Sequence, residues 1–276
     1  MQHTENTFTG HDGLELYYQS WRPDTEPQAA LIIVHGLGEH SGRYMNLVNP
    51  LVPQGYAVYA FDNRGHGRSP GKQGYVDSFD EYRQDVAVFQ KLVIEQEGER
   101  PLFIMGHSLG GLITLYTILH DSTGYTGTII SAPALDTGGV SAVLMAASKI
   151  LSKIKPDLSV ATGLDATGIS RDPDVVVAYK NDPLVHGVGT PRLAVETPNA
   201  MAWCEENAGN LQIPTLMIHG TDDRLTSPAS SRAFFDKLTA SDKTYIAYDG
   251  GYHESLNDIH HQKVATDIQN WLDTHL

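Results

Sequence analysis

Six short apolar runs, separated by helix-like segments, constrain the fold of this chain more than any other feature. Nearly every position is apolar in ALIIVHG (30–36), YAVYAFD (56–62), PLFIMGH (101–107), GTIISAP (127–133), PTLMIHG (214–220) and KTYIAYD (243–249). Such runs are typical of strands that are buried on both faces of a parallel sheet. An earlier run, LELYYQSW (14–21), alternates instead, which predicts a strand at an antiparallel edge.

The segments between these runs carry helical periodicity. Apolar side chains recur mostly three and four residues apart at Tyr82, Val86, Phe89 and Val93, and again at Val264, Ile268, Trp271 and Leu272. Strands that alternate with helices along a chain form α/β folds. The pattern therefore predicts an α/β protein with a mostly parallel central sheet flanked by helices.

The alternation is interrupted once, between about residues 134 and 200, where no clear strand is visible. Within this stretch, VSAVLMAASKILSKI (140–154) has apolar residues at 140, 143, 144, 147, 151 and 154, which form one wide helical face. A structureless loop of this length would be unusual in a compact domain. We therefore expect a core made of residues 1–133 and 201–276, with residues 134–200 inserted as a mostly helical cap over the sheet.

Charge and cysteine content limit the partners and the compartment. The 276 residues carry a formal net charge of −14, so nucleic acid and anionic lipid surfaces would repel the chain. Cys204 is the only cysteine and cannot form an internal disulfide. The first residues lack the basic start and apolar run of a signal peptide. We expect no nucleic-acid partner and a cytoplasmic location.

The run at 101–107 leads into GHSLGGL, which places Ser108 between Gly106 and Gly110. A strand that turns directly into a helix forces the residue at the turn into strained geometry, and its neighbours two positions away must be small. This arrangement lifts the serine hydroxyl to the edge of the sheet where ligands bind. We interpret Ser108 as a nucleophile. The alternative is a glycine-rich connection that carries an incidental serine.

A serine nucleophile needs an imidazole base, and the base needs a carboxylate. His253 follows the last strand and is the best-placed histidine, whereas His219 lies within a predicted strand and the turn should point His107 elsewhere. The carboxylate should follow PTLMIHG, where TDDRLTSP offers two adjacent residues. Asp223 is favoured because two turn residues after Gly220 leave room for its side chain to return to the edge of the sheet. Asp222 is the alternative.

The tetrahedral intermediate also needs two hydrogen-bond donors. One should be the backbone N–H of Leu109, directly after the serine. The other should come from HGLGEHSGRY (35–44), whose glycines allow close approach, and the Leu37 N–H is the candidate. In the same loop Glu39 and Arg43 form either a supporting ion pair or a solvated surface pair.

Six blocks, taken in order, resemble a known family: HGLGEHSGRY, FDNRGHGRSPG, GHSLGGL, SRDPDVVVAYKNDPLV, HGTDDRL and GGYHE. They are similar to the monoacylglycerol lipase branch of the α/β-hydrolases and to bacterial proteins labelled lysophospholipases, over nearly the whole chain. The resemblance implies an α/β-hydrolase fold with a cap that shapes an acyl channel. It also implies the roles already assigned to Ser108, Asp223, His253, Leu37 and Leu109. Animal members carry a second histidine shortly after the base, where this chain has Leu256.

The sequence therefore predicts a serine carboxylester hydrolase that acts on monoacylglycerols or related lipophilic esters and needs no cofactor or metal. A lysophospholipase or general carboxylesterase is the alternative enzyme. The alternative outside the enzymes is a ligand-binding protein of the same fold with little turnover. Lys149, Lys153 and Lys155 cluster on the predicted cap helix of an acidic protein. They either let the cap touch a lipid or micelle surface or form an ordinary solvated face.

Overall fold

The computed structural model describes residues 1–137 and 142–276. Its strands are β1 (Gln2–Thr9), β2 (Glu15–Arg22), β3 (Ala29–Val34), β4 (Tyr56–Phe61), β5 (Leu102–His107), β6 (Gly127–Ser131), β7 (Val160–Ala161), β8 (Val188–Gly189), β9 (Thr215–Gly220) and β10 (Lys243–Tyr248). Its α-helices are α1 (Met45–Leu51), α2 (Asp80–Glu97), α3 (Leu109–His120), α4 (Ala142–Ile154), α5 (Pro173–Asn181), α6 (Pro191–Asn207), α7 (Pro228–Lys237) and α8 (His261–Asp273).

The central sheet has the strand order β1-β2-β4-β3-β5-β6-β9-β10. The pairs β1–β2 and β2–β4 are antiparallel, and every pair from β4 to β10 is parallel. The predicted α/β fold with a mostly parallel sheet is confirmed. In this order the carboxyl ends of β3, β5, β9 and β10 lie along one edge of the sheet, which is where open α/β sheets bind ligands.

The core lies on both faces of the sheet, because the central strands are buried on both sides. All six residues of β3, β4, β5 and β9 are buried, as the near-continuous apolar runs predict. On one face the strands pack against α2 and α3, and on the other against α1 and α8. The predicted apolar stripe of α2 is buried throughout. Hydrophobic burial of this extent is the main stabilising contribution to the fold.

The two outer strands differ from expectation. β1, with the sequence QHTENTFT, is exposed except for Phe8. It was not predicted because it lacks the apolar residues that identify a buried strand. It pairs with β2 along its whole length, because an edge strand tolerates polar side chains on both faces. The prediction that β10 is buried on both faces is wrong. It forms the opposite edge of the sheet, and Tyr248 is its only buried residue.

The segment between β6 and β9 holds α4, α5, α6 and a two-stranded antiparallel pair, β7–β8, that the sequence did not predict. The predicted cap boundary at residue 200 falls within α6. Positions 140 and 141 of the predicted cap helix lie outside the described residues, as do the side chains at 143 and 144. Among the described helices, none has the length and apolar character needed to cross a membrane.

Helix α4, in the segment predicted to form a cap, packs against α6. Ser152 is buried, whereas Ile150 and Ile154 are 62% and 70% exposed. Leu151, on the predicted apolar face, is also exposed. The apolar face of α4 therefore points to solvent in the part of the helix whose side chains are described.

Candidate active site

Ser108 occupies the sharp turn between β5 and α3, with φ 54° and ψ −119°. Positive φ is uncommon for a residue other than glycine. The flanking glycines are required because side chains would collide with backbone. A Cβ at Gly106 would lie 2.2 Å from the Gly110 carbonyl oxygen, and a Cβ at Gly110 would lie 2.1 Å from the Val34 oxygen. The crowding predicted from the G-x-S-x-G spacing is present, and it leaves Ser108 partly exposed.

The other two candidate residues follow β9 and β10 and meet at the same edge of the sheet. His253 Nδ1 and Asp223 Oδ2 are 2.7 Å apart, and both side chains are buried. Asp222 is exposed, and its carboxylate accepts a hydrogen bond only from the neighbouring Thr221 hydroxyl among the described residues. The structure therefore brings Asp223, and not Asp222, to the imidazole.

The electrostatics of this pair suit a base and its acid partner. Burial by itself would lower the pKa of His253, but the facing Asp223 carboxylate raises it above its usual value. Burial would raise the pKa of Asp223, but the His253 charge and hydrogen bonds from His219 and His253 lower it well below its usual range. Asp223 is therefore ionised at every ordinary pH, and it stabilises the protonated form of His253.

Ser108 and the His253 imidazole are not hydrogen-bonded in the described structure, as is common for such pairs before a substrate tightens the site. With Nδ1 turned to Asp223, the Nε2 of His253 is left for the nucleophile and leaving group. The expectation that His107 points away from the site is wrong: its ring packs against that of His253, with centroids 4.7 Å apart. Burial and the neighbouring His253 lower the pKa of His107 to about 3, so it is neutral at ordinary pH.

The loop after β3 packs directly against the nucleophile turn. A Cβ at Gly36 would lie 3.1 Å from the Ser108 Cβ, so any larger residue would crowd the nucleophile turn. Leu109 opens α3 ahead of the first helical hydrogen bond, from Leu112 N–H to the Ser108 carbonyl, so its own N–H has no helical acceptor. The Leu37 N–H likewise has no partner among the described residues. Their roles as oxyanion donors stay predictions.

Glu39 and Arg43 are buried, which settles the choice between a supporting pair and a solvated one. Glu39 Oε1 accepts hydrogen bonds from the Gly36 N–H at 2.7 Å and the Tyr44 hydroxyl at 2.9 Å. Its Oε2 lies 3.3 Å from Arg43 Nη1. Burial would raise the pKa of Glu39, but Arg43 and neighbouring histidines lower it to about 2. Glu39 thus holds the loop that carries the Leu37 N–H.

Sequence reasoning missed the second partner of Arg43. Glu254 binds the guanidinium with both oxygens, at 2.6 and 2.8 Å. It directly follows His253 and is buried. An acidic residue next to a predicted base was the available signal, but the partner stands 211 positions away in the sequence. Leu256 lines the small polar cavity between this cluster and His107.

Two further side chains contact the Asp223 carboxylate and were not predicted to do so. His219 Nε2 and Thr226 Oγ1 each lie 2.9 Å from Asp223 Oδ2. His219 was set aside because it lies within a strand. A polar residue near the carboxyl end of a buried strand, one turn before a predicted acid, was the signal that could have identified it.

Residues of the 134–200 segment contact the loop after β3 at three places. His40 Nε2 is 2.9 Å from Asp182 Oδ2, and the Arg43 guanidinium lies 4.7 Å from the centre of the Tyr179 ring. The His186 N–H donates to the Gly38 carbonyl at 2.9 Å. The segment around residues 179–186 therefore adjoins the loop that carries Leu37.

One group outside this site could offer three ligand atoms to a cation. In the described part of the chain, donor atoms of His11, Asp12 and Asp85 lie within 4.8 Å of one another. Arg64 already donates to Asp85 at 2.8 Å and to Asp12 at 3.0 Å. The group is therefore an ion-pair cluster in which a buried arginine offsets part of the negative charge.

The family described as "Serine aminopeptidase, S33" matches residues 25–260 of this chain. The monoacylglycerol lipase of Mycolicibacterium smegmatis is 35% identical over 278 residues, which cover 99% of this chain and 98% of that protein. Phospholipase YtpA of Bacillus subtilis is 30% identical over 263 residues, which cover 93% of this chain and 99% of that protein.

Among solved structures, the monoacylglycerol lipase of Paleococcus ferrophilus superposes with a TM-score of 0.87 at 36% sequence identity. The match covers 95% of this chain and all of that one. The family match spans the strained serine turn, both acidic candidates and His253. The chain therefore belongs to the serine aminopeptidase S33 family of hydrolases and has the α/β-hydrolase fold.

Proposed function

We propose that this chain is a carboxylic ester hydrolase that releases a fatty acid from monoacylglycerols or related lipophilic esters through an acyl-enzyme. The observation that carries the proposal is the buried His253–Asp223 hydrogen bond at the sheet edge where the strained Ser108 turn opens. Relatives that bear the name monoacylglycerol lipase support the substrate class.

In this mechanism Ser108 Oγ attacks the ester carbonyl while His253 Nε2 takes its proton. Asp223 keeps the Nδ1–H tautomer of His253 and stabilises the imidazolium. The backbone N–H groups of Leu37 and Leu109 receive the oxyanion, and each such donor contributes about 10²–10³ in rate. The imidazolium then protonates the departing alcohol. Water, activated by the same His253, hydrolyses the acyl-enzyme.

The charges beside the site favour an uncharged head group over a phosphate. Arg43, the cation of the loop, already binds Glu254 with two nitrogens and Glu39 with one. Two buried carboxylates against one guanidinium leave this cluster with a net negative charge, which would repel a phosphodiester. A lysophospholipid is therefore the weaker candidate, although one relative is named a phospholipase.

We assign residues 134–200 the role of a cap over the acyl site, and a cytoplasmic location on the basis of the single cysteine. The cap also offers a contact surface for lipid. Ile150 and Ile154 are exposed on α4 beside Lys149, Lys153 and Lys155, which are exposed as well. An apolar face flanked by lysines is suited to the boundary between water and a lipid or micelle surface.

Replacing the three lysines with glutamine tests the lipid contact. We expect turnover of a micellar ester to fall while turnover of a dissolved short-chain ester is retained. Equal loss on both substrates, or no loss on either, would contradict this role.

A hydrolysis panel and active-site labelling test the main proposal. We expect a fluorophosphonate to label Ser108 and the Ser108→Ala variant to lose roughly six orders of magnitude in rate. Among mono-, di- and triacylglycerols, lysophospholipids and short nitrophenyl esters, the monoacylglycerols should give the highest kcat/KM of the lipid substrates. Faster hydrolysis of lysophospholipids would refute the head-group argument. Failure to label Ser108 would favour a binding protein.

A further inference from the structure

The Asp223 carboxylate has four lone-pair positions, and the described structure fills them with two pairs of donors. Oδ1 accepts from the backbone N–H groups of Leu225 at 2.7 Å and Thr226 at 3.1 Å. Oδ2 faces two imidazoles, His253 Nδ1 at 2.7 Å and His219 Nε2 at 2.9 Å. The second imidazole has no part in the mechanism given above, yet it contacts the same oxygen as the base.

The contacts of His219 assign a role to each of its two ring nitrogens. Its Nε2 faces a carboxylate and must donate, so in the neutral ring Nδ1 is the acceptor. Nδ1 lies 2.8 Å from Ser231 Oγ, on α7, and that hydroxyl is the donor. Neither His219 nor Ser231 is accessible to solvent, so water does not compete for these positions. The result is a directed chain from Ser231 through His219 to Asp223.

Thr226 provides a reserve donor for the same oxygen. Its Oγ1 is 2.9 Å from Asp223 Oδ2 and 3.1 Å from the Ala132 carbonyl oxygen. The hydroxyl has one proton and can serve only one of these acceptors. The Ala132 carbonyl can take this proton when both Oδ2 lone pairs accept from the imidazoles.

We propose that His219 is a positioning residue: its Nε2–H, oriented by Ser231, fixes the Asp223 carboxylate so that Oδ2 accepts the Nδ1–H of His253. This inference rests on the proposed function, in which Asp223 and His253 serve as acid and base. His219 acts through Asp223 and does not touch the reacting atoms.

Two consequences follow from removing the His219 donor. The carboxylate gains freedom to rotate away from His253, which lowers kcat more than it changes KM, because the substrate does not contact His219. The negative charge of Asp223 is also less neutralised, so it holds a proton on His253 more strongly. The acid limb of kcat/KM should then move to higher pH.

The other charged groups around His253 do not account for such a shift. His107 faces the imidazole from β5 and is neutral at ordinary pH. Glu39, from the loop after β3, has its pKa lowered to about 2 and stays ionised. Burial would lower the pKa of Arg43, but Glu254 and Glu39 raise it above its usual value, so it stays cationic and keeps Glu254 paired.

Among the described residues of α7, none that contacts the His219 ring is titratable. Ser231 is its contact there, and Asp136 accepts the Ser227 N–H at the start of the helix. Arg232 and Asp236 pair with each other on the exposed face of α7. A change in the acid limb that is confined to His219 variants therefore reports on the His219–Asp223 contact.

The test compares His219→Leu with His219→Gln, because a glutamine amide can donate to Asp223 in place of Nε2–H. On a dissolved nitrophenyl ester we expect His219→Leu to lower kcat by about tenfold, with KM changed by no more than about twofold. Its acid limb should move to higher pH. His219→Gln should recover most of kcat and the wild-type limb. Equal losses in both variants, or wild-type kcat and pH profile in His219→Leu, would overturn the proposal.

A measurement on the wild-type protein covers the case in which His219→Leu does not fold. Long-range ¹H–¹⁵N spectra of histidine-labelled protein should show that the proton facing Asp223 is carried by His219 Nε2. An Nδ1–H tautomer would overturn the proposal whether or not the enzyme is active. Failure of the proposed function is distinguishable, since it would appear as wild-type protein that fluorophosphonate does not label.

Discussion

Breaking the buried Arg43 cluster should be one of the most destabilising single changes in the protein. The Arg43 side chain is 10% exposed and lies between Glu39 and Glu254, whose side chains are 5% and 6% exposed. Removing one partner of a buried ion pair leaves uncompensated charge and costs about 3–5 kcal/mol. We therefore expect Arg43→Met to lower the free energy of unfolding by about that amount at neutral pH.

The pH dependence gives the same interaction an independent measure. Arg43 and its neighbours hold the pKa of Glu39 at about 2, against 4.5 for an unperturbed glutamate. A lowered pKa contributes stability above the unfolded value, and this contribution is lost as pH falls from 4.5 toward 2. The difference corresponds to about 3 kcal/mol. Without Arg43 the Glu39 pKa rises, so the stability gap between wild type and Arg43→Met should narrow as pH falls through that raised pKa toward 2.

Urea unfolding followed by circular dichroism at pH 7.5 and pH 4 measures both effects. Arg232→Met is the matched control, because Arg232 and Asp236 form an ion pair in which both side chains are more than half exposed. Such pairs contribute about 0–1 kcal/mol. An Arg43→Met variant no less stable than Arg232→Met, or a stability gap that is the same at both pH values, would refute the assignment of a buried, coupled cluster.

Three further predictions concern the site itself. Asp223→Asn should lower kcat by about 10⁴, whereas Asp222→Asn should stay within about threefold of wild type, and steady-state kinetics on one ester decides between them. Because the Asp223 charge raises the pKa of His253, kcat/KM should fall with decreasing pH already above 6.5, and a limb at or below 6.5 would contradict this. Gly110→Ala would place a Cβ 2.1 Å from the Val34 oxygen, so fluorophosphonate labelling should be lost or the protein should fail to fold.

Features set by a few adjacent residues were predictable. The glycines around Ser108 are required by collisions within one turn, so the spacing alone indicates the strained geometry. Strands buried on both faces reveal themselves as unbroken apolar runs, as β3 and β5 do. The candidate nucleophile, acid and base could be identified because each one follows the end of a different predicted strand. These signals need no knowledge of what packs against them.

Features that depend on contacts between distant segments were not predictable. KTYIAY has the composition of a buried strand, but β10 lies at the edge of the sheet and is half exposed. The apolar residues at the end of α4 have the spacing of a packing face, yet Ile150, Leu151 and Ile154 are exposed.

The sequence by itself determined the α/β alternation, the serine turn and the short set of residues from which an acid and a base could be drawn. Tertiary structure placed Asp223 rather than Asp222 beside His253, paired Arg43 with Glu254, and brought His219 to the carboxylate. The physical reason is the separation along the sequence over which each effect acts. Periodicity and steric crowding act over a few residues, whereas burial and charge pairing join side chains that stand as many as 211 positions apart.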